Sequence, residues 1–139
     1  MSDITLRARI AEQSVMKMLK AAVLEARRLE APAGIAIVDP SGLLRAWVLM
    51  DDAVPLAADI VPKKARTAVF TGMPTGDMPA DLSAKLVAAT ADFVDLPGGL
   101  PIVVDGQVVG GIAAGAHSSE ADLAIARAGL AALEPAAEV

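Results

Sequence analysis

Residues 101–115, PIVVDGQVVGGIAAG, set an Asp-Gly pair between two apolar runs, and nothing else in the chain constrains the fold as strongly. Both central residues of a type I′ turn need positive φ, which Asp105 and Gly106 adopt readily, so the two runs are expected to lie antiparallel. An earlier pair of runs, GIAIVD and LLRAWVLM, flanks Pro40-Ser41-Gly42. Pro and Gly supply turn geometry there, which predicts a first hairpin.

Helical spacing fills the remaining segments. Residues 5–30 place Leu6, Ile10, Met18, Ala22, Val23, Ala26 and Leu29 on one face, which predicts a long amphipathic helix. Asp3 or Thr5 would cap it, Arg27 and Arg28 would complement the dipole of its last turns, and Pro32 would stop it. Residues 60–71 predict a second helix with Asp59 near its cap and Pro62 in its first turn, where a missing N–H is harmless. A third helix is expected over 80–90 and a short strand over 92–96. Ser119 and Asp122 read as a capping box, with Asp in place of the usual Glu or Gln, ahead of a final helix over 123–133. Strands and helices come in runs rather than in alternation, which predicts an α+β fold over residues 1–139: one domain, an antiparallel sheet and segregated helices.

Composition removes several functions. The net charge of −5 disfavours a surface that tracks nucleic-acid phosphates. With no Cys, disulfides, thiolate zinc sites and iron–sulfur ligation are absent, and a single His cannot build a zinc site, so no metal site is expected. Although 55% of residues are apolar, no run approaches the ~18 uncharged residues of a spanning helix, so no membrane partner is expected. The opening MSDITLRARIAEQSV shows no basic leader before an apolar run, and a cytoplasmic location is the expectation.

The glycines of the second hairpin do not form a phosphate cradle. Neither G-x-G-x-x-G at a strand-to-helix turn nor G-x-x-x-x-G-K-[ST] is present. Glycine within a strand marks a bulge or the close approach of another backbone, and for Gly110 and Gly111 that neighbour is a packed helix, a ligand or a second subunit. Gly98 and Gly99, ahead of Pro101, are placed to shape the rim of a pocket.

Three stretches, IAIVDPSGLLRAWVLMDDA, KKARTAVFTGMPT and PGGLPIVVDGQVVGGIAAGAHSSEADLAIARAGLAAL, together resemble the small GlcG/HbpS-type domain, a family labelled haem-degrading or haem-binding. The resemblance covers nearly the whole chain. It implies a profilin-like α+β layer, a homodimer that assembles further, and ligands of the haem or corrinoid class or a role in small-molecule catabolism. KKART matches the family's pattern beside an inter-subunit cleft, which implies ligand contacts at Lys64 and Thr67. Ala114, Ala116 and His117 depart from the family's glycine-rich ending of the last strand.

Two functional classes follow. The first is a binding module for a tetrapyrrole or another carboxylate-bearing planar ligand, with Lys64 or Arg66 on the carboxylate, Thr67, Gly98, Gly99 and Pro101 at the ligand, and an apolar wall. Cations at the start of a helix oppose its dipole and call for an anion, which is a ligand carboxylate or the chain's own Asp51, Asp52 or Asp59. The second class is a small lyase or isomerase acting on a catabolic acid, with His117 or Asp39 moving a proton. His117 is the only imidazole, on a loop beside the last strand; Asp39 is also placed to close an Asx turn. Met50, Met73 and Met78 fill core gaps, line an adaptable pocket or ligate haem weakly. With no Cys or Tyr for ligation, haem binding is expected to be weak, held by apolar contact and a propionate contact, and independent of His117.

Overall fold

The structure is a computed structural model that describes residues 2–133. Its elements in chain order are α1 (Glu12–Arg28), β1 (Gly34–Val38), β2 (Leu44–Leu49), α2 (Ala57–Thr71), α3 (Ala80–Ala89), β3 (Gly99–Val104), β4 (Gln107–Gly115) and α4 (Ser119–Ala131). The four strands form one antiparallel sheet in the order β2-β1-β4-β3, the α+β arrangement expected.

Both hairpins form where turn chemistry places them. Asp105 and Gly106 have φ of 51° and 74°, as the primed turn requires. In the first hairpin, Asp39 Oδ1 accepts hydrogen bonds from the backbone N–H groups of Ser41 (2.8 Å) and Leu43 (2.9 Å), and Gly42 takes the positive φ. Asp39→Ala removes both bonds and is expected to destabilise the protein by about 1–2 kcal/mol. A urea midpoint equal to that of the wild type would show the turn holding without the carboxylate.

The sheet is covered on both faces, so β1 is buried at every residue and carries no alternating pattern. One face, built from Ala36, Val38 and Ala113, packs on Ala57, Val61, Ala65 and Val69 of α2. The other, with Ile35, Ile37, Ile112 and Ala114, packs on Met18, Ala22 and Ala26 of α1 and Ile125 and Ala126 of α4. Met18, Ile35, Ile37, Ile112 and Ile125 are fully buried, each contributing roughly 1.5–3 kcal/mol of apolar transfer.

Four boundaries differ from the sequence reading. α1 begins at Glu12, because its inward face runs through Val15, Met18, Ala22 and Ala26, and continuing that phase backwards would turn Ala11 inward instead of Ile10. Ile10 enters the core only by leaving the helix, and its carbonyl accepts a bond from Arg45 Nη1 (2.9 Å). The N-cap is Ala11, with no side-chain bond, so neither Asp3 nor Thr5 caps the helix. α2 starts earlier than expected, since Ala57 and Val61 are needed against Gly34 and Gly115, and Pro62 falls in its second turn. Residues 92–96 form no strand: the Thr67 hydroxyl donates to the Asp92 carbonyl (3.2 Å) and accepts from Val94 N (3.0 Å), holding this segment on α2. The cap of α4 is Ser118, whose Oγ accepts from Ala121 N (3.1 Å), which leaves Asp122 free for another contact.

The excursion that carries α3 is clasped at its base. Thr75 and Gly99 exchange two bonds of 2.9 Å, the Thr75 hydroxyl also meets the Leu96 carbonyl, and Asp95 Oδ1 accepts from Gly76 N (2.6 Å). α3 itself buries no residue, and Leu82 and Val87 are exposed.

Candidate functional site

A groove of about 560 Å³ opens between the last turns of α1 and the end of β2. Val23, Ala26, Ala31, Val48 and Met50 give it an apolar floor, and Arg27, Glu30 and Asp51 ring its mouth. Among the described residues the exposed Arg27 guanidinium forms no ion pair; its neighbour Arg28 is the one held by Glu25. An unpaired guanidinium above an apolar floor is suited to a ligand with an apolar body and a carboxylate.

Lys64, expected at the ligand, lies inside the fold. Its ammonium donates to the carbonyls of Ala114 (2.7 Å) and Pro97 (2.9 Å) and faces Asp122 Oδ2 at 3.4 Å. The Lys64 side chain is 2% exposed and that of Asp122 13%. The side chain thus leaves α2 on one face of the sheet and meets α4, which covers the other. Burial pushes the Lys64 ammonium below the ordinary lysine range, and the Asp122 carboxylate, through its charge and hydrogen bond, opposes that shift. Asp122 Oδ1 in turn accepts from Ala116 N.

The other expected residues gather around this lysine rather than around the groove. A Cβ on Gly98 would meet Asp122 Cβ at 2.7 Å and Lys64 Nζ at 3.0 Å, and one on Gly99 would meet the Lys64 carbonyl at 2.8 Å. These glycines make room for Lys64 and Thr75 and line no rim of the groove. Thr67 is buried and spends its hydroxyl on Lys63, Asp92 and Val94. Arg66 pairs loosely with Asp92 at 3.6 Å, and Pro101 is half-buried on β3 opposite Gly111. The lysine beside Lys64, Lys63, takes Asp59 at 3.2 Å one turn earlier; because α2 begins at Ala57, neither lysine lies at the helix start, where the sequence reading put them.

The two proton-transfer candidates are apart. His117 follows Gly115, which pairs with Gly34 at the start of β1, whereas Asp39 follows Val38 at its far end. They stand at opposite ends of the sheet. His117 is exposed and outside the groove lining, and Asp39 is committed to its turn. Of the three methionines singled out, Met50 lines the groove.

Sequence reasoning missed Arg27 as a site residue because its place in the last turn of α1 already explained it as a dipole partner. Asp122 was likewise absorbed into a cap. The signal available for it was the buried-helix lysine on an otherwise apolar face, Val61-x-x-Lys64-Ala65-x-x-Ala68, which demands an acceptor somewhere.

Known proteins share this architecture. The family model described as haem-degrading protein HbpS-like matches residues 10–131. Protein GlcG of Escherichia coli K12 is 34% identical over 105 residues, covering 74% of this chain and 78% of GlcG. The crystal structure of a PduOC:haem complex superposes with a TM-score of 0.82 at 28% identity, covering 91% of this chain and 96% of that one. HbpS superposes with a TM-score of 0.82 at 30% identity, with 94% of each chain covered. The corrinoid adenosyltransferase PduO of Citrobacter freundii is 30% identical over 127 residues, but this chain spans only 38% of that protein. With the sheet order, the clasped excursion and these matches in hand, the chain belongs to the HbpS-like family.

Proposed function

We propose that the chain is a small-ligand-binding protein whose ligand, a planar apolar molecule carrying a carboxylate, lies in the groove between α1 and β2 with its carboxylate on Arg27. The observation that carries this reading is Arg27 at the mouth of the apolar groove, without an ion-pair partner among the described residues. The PduOC:haem complex and the PduO relative make tetrapyrroles, haem or a corrinoid, the first ligand class to test.

The residues present fit haem in part. The groove offers an apolar floor and a cation for a propionate, and Met50 is its one side chain of the usual axial-ligand types. Bound haem would supply an iron for ligand exchange or redox chemistry; the chain's own contribution is to seat an apolar face on Val23, Ala26 and Val48 and orient a propionate through Arg27. The groove borders β2, one of the two edges of the sheet, so a second copy on that edge would roof it. A homo-oligomer is also supported by α3, whose 10 residues are fewer than the ~12–15 at which an isolated helix becomes even marginal and whose Leu82 and Val87 have no cover in this chain. The lyase or isomerase reading, with His117 or Asp39 moving a proton, has less support, because Asp39 is held by its turn and neither residue lines the groove.

Haem titration followed at the Soret band tests the proposal on wild type, Arg27→Gln and His117→Ala. Weak binding is expected, reduced by roughly 3- to 10-fold in Arg27→Gln, as for loss of one charge-assisted contact, and unchanged in His117→Ala. One haem per subunit at low micromolar concentration, abolished by His117→Ala, would move the site to the β4–α4 loop. Failure of haem, corrinoids and small carboxylic acids alike to shift the melting temperature would end the ligand reading.

A further inference from the structure

Residues 4–10, ITLRARI, alternate strictly: Ile4, Leu6, Ala8 and Ile10 are apolar and Thr5, Arg7 and Arg9 polar. That is the period of a half-buried strand. Yet among the described residues no strand pairs with the segment: it has no regular secondary structure, Ile4 is 75% exposed and Leu6 93%. It also precedes residue 10, where the match to the HbpS-like family begins. A strand pattern with one buried anchor, Ile10, and an exposed apolar row is half of an interaction.

The sheet supplies the other half. β2 and β3 are its two borders. β3 carries Pro101, which removes a donor and blunts that edge. β2 reads LRAWVL and has no Pro; its one charge, Arg45, is turned to the Ile10 carbonyl. Leu44 and Leu49 are exposed on it and Trp47 is half-buried. The arm runs beside Val104 and Val109, and its own β2 reaches only its last residue, through Arg45 on the Ile10 carbonyl, which leaves residues 4–9 off that edge. Charge agrees with an encounter between copies: the arm holds Arg7 and Arg9 against a single Asp3, while the chain as a whole is at −5 and β2 runs into Asp51 and Asp52.

We propose that residues 4–10 form a donated strand that pairs with the free edge of β2 in a second copy of this chain. Reciprocal donation closes a two-fold dimer, extends each sheet to five strands and covers Ile4 and Leu6, which share a face, together with β2. The proposal rests on the homo-oligomer reading above and specifies what holds the oligomer together.

Trp47, the only tryptophan, reports on β2 directly. Light scattering of the full chain, of a chain lacking residues 2–9, and of Leu6→Pro is compared at equal micromolar concentrations, and the peptide SDITLRARI is then added to the shortened chain. A dimeric full chain, monomeric variants, and a shift of Trp47 emission to shorter wavelength on adding peptide, weakened by salt, are expected. Leu6→Pro answers the question if the shortened chain fails to fold, because a 93% exposed position burdens no monomer. A full chain that is monomeric overturns the donated strand and the oligomer together. A dimer that survives both variants overturns the donated strand alone, as does a peptide that leaves Trp47 emission unchanged.

Discussion

Asp122→Asn is expected to destabilise the protein by about 3–5 kcal/mol at neutral pH, the loss seen when one member of a buried ion pair is removed and the other stays charged. The asparagine can still accept from Ala116 N through Oδ1, so the substitution isolates the charge that faces Lys64 at 3.4 Å. Lys64 is then held by two carbonyls, those of Pro97 and Ala114, with no anion. The pH dependence identifies the cause. Burial already lowers the Lys64 pKa from 10.5 and Asp122 works against it, so the substitution lowers it further. Between the folded value and 10.5 the unfolded chain binds more protons than the native one, and stability rises with pH across that window. Urea unfolding at pH 7 and at about pH 9.5 should show the deficit of Asp122→Asn shrinking in the alkaline sample. A second comparison, the double variant Lys64→Met with Asp122→Asn, should recover part of the loss by removing the unpaired charge. A deficit below about 1 kcal/mol, in the range of an exposed pair, or one that ignores pH would show that the pair is not the bolt between the two helical layers.

Gly111→Ala is the other large effect. A Cβ at this position would lie 2.8 Å from the Ala65 carbonyl oxygen and 2.6 Å from Val69 Cγ2. A methyl on Val69 can rotate, but the carbonyl belongs to the backbone of α2, so the whole helix must lift from the sheet. Overpacking of this kind costs about 1–3 kcal/mol, a loss of roughly 3–10 °C in melting temperature for a chain of this size. The alternatives left open for this glycine are thereby narrowed: the close neighbour is a helix of the same chain. Thermal unfolding decides, and a variant as stable as the wild type would mean that α2 moves away at no expense.

Turn chemistry was the most legible part of the fold. Asp105-Gly106 and Asp39 through Gly42 each encode a local geometry that few other conformations satisfy, and both hairpins formed there. Helix boundaries were less legible, because Leu6 and Ile10 fit a helical period as well as a strand period and only the phase of the α1 core face separates the two. Pro62 misled for a related reason: tertiary packing of Ala57 on Gly34 outweighs the lost hydrogen bond. At the site, Lys64 was read as a cation at a helix start; it lies in the middle of α2, where burial creates the need for an anion, and a sequence does not say that the anion is Asp122, on a helix packed against the opposite face. Arg27 could be found only once β2 was known to border α1, a contact between segments that no local pattern records.

The strand order has a consequence for the nascent chain. β1, buried on every residue, lies between β2 and β4, and its pairing of Gly34 with Gly115 waits until about 80 further residues have been made. The first hairpin therefore emerges from the ribosome before β4, with one rim of β1 open and the face that α2 covers bare, α1 alone being available for the other face, and loop-closure entropy delays the partner strand. Synthesis rather than the finished fold is the stage at which this Val- and Ile-rich strand is most exposed to wrong partners, and a pause in translation between residues 50 and 107 would lengthen that interval.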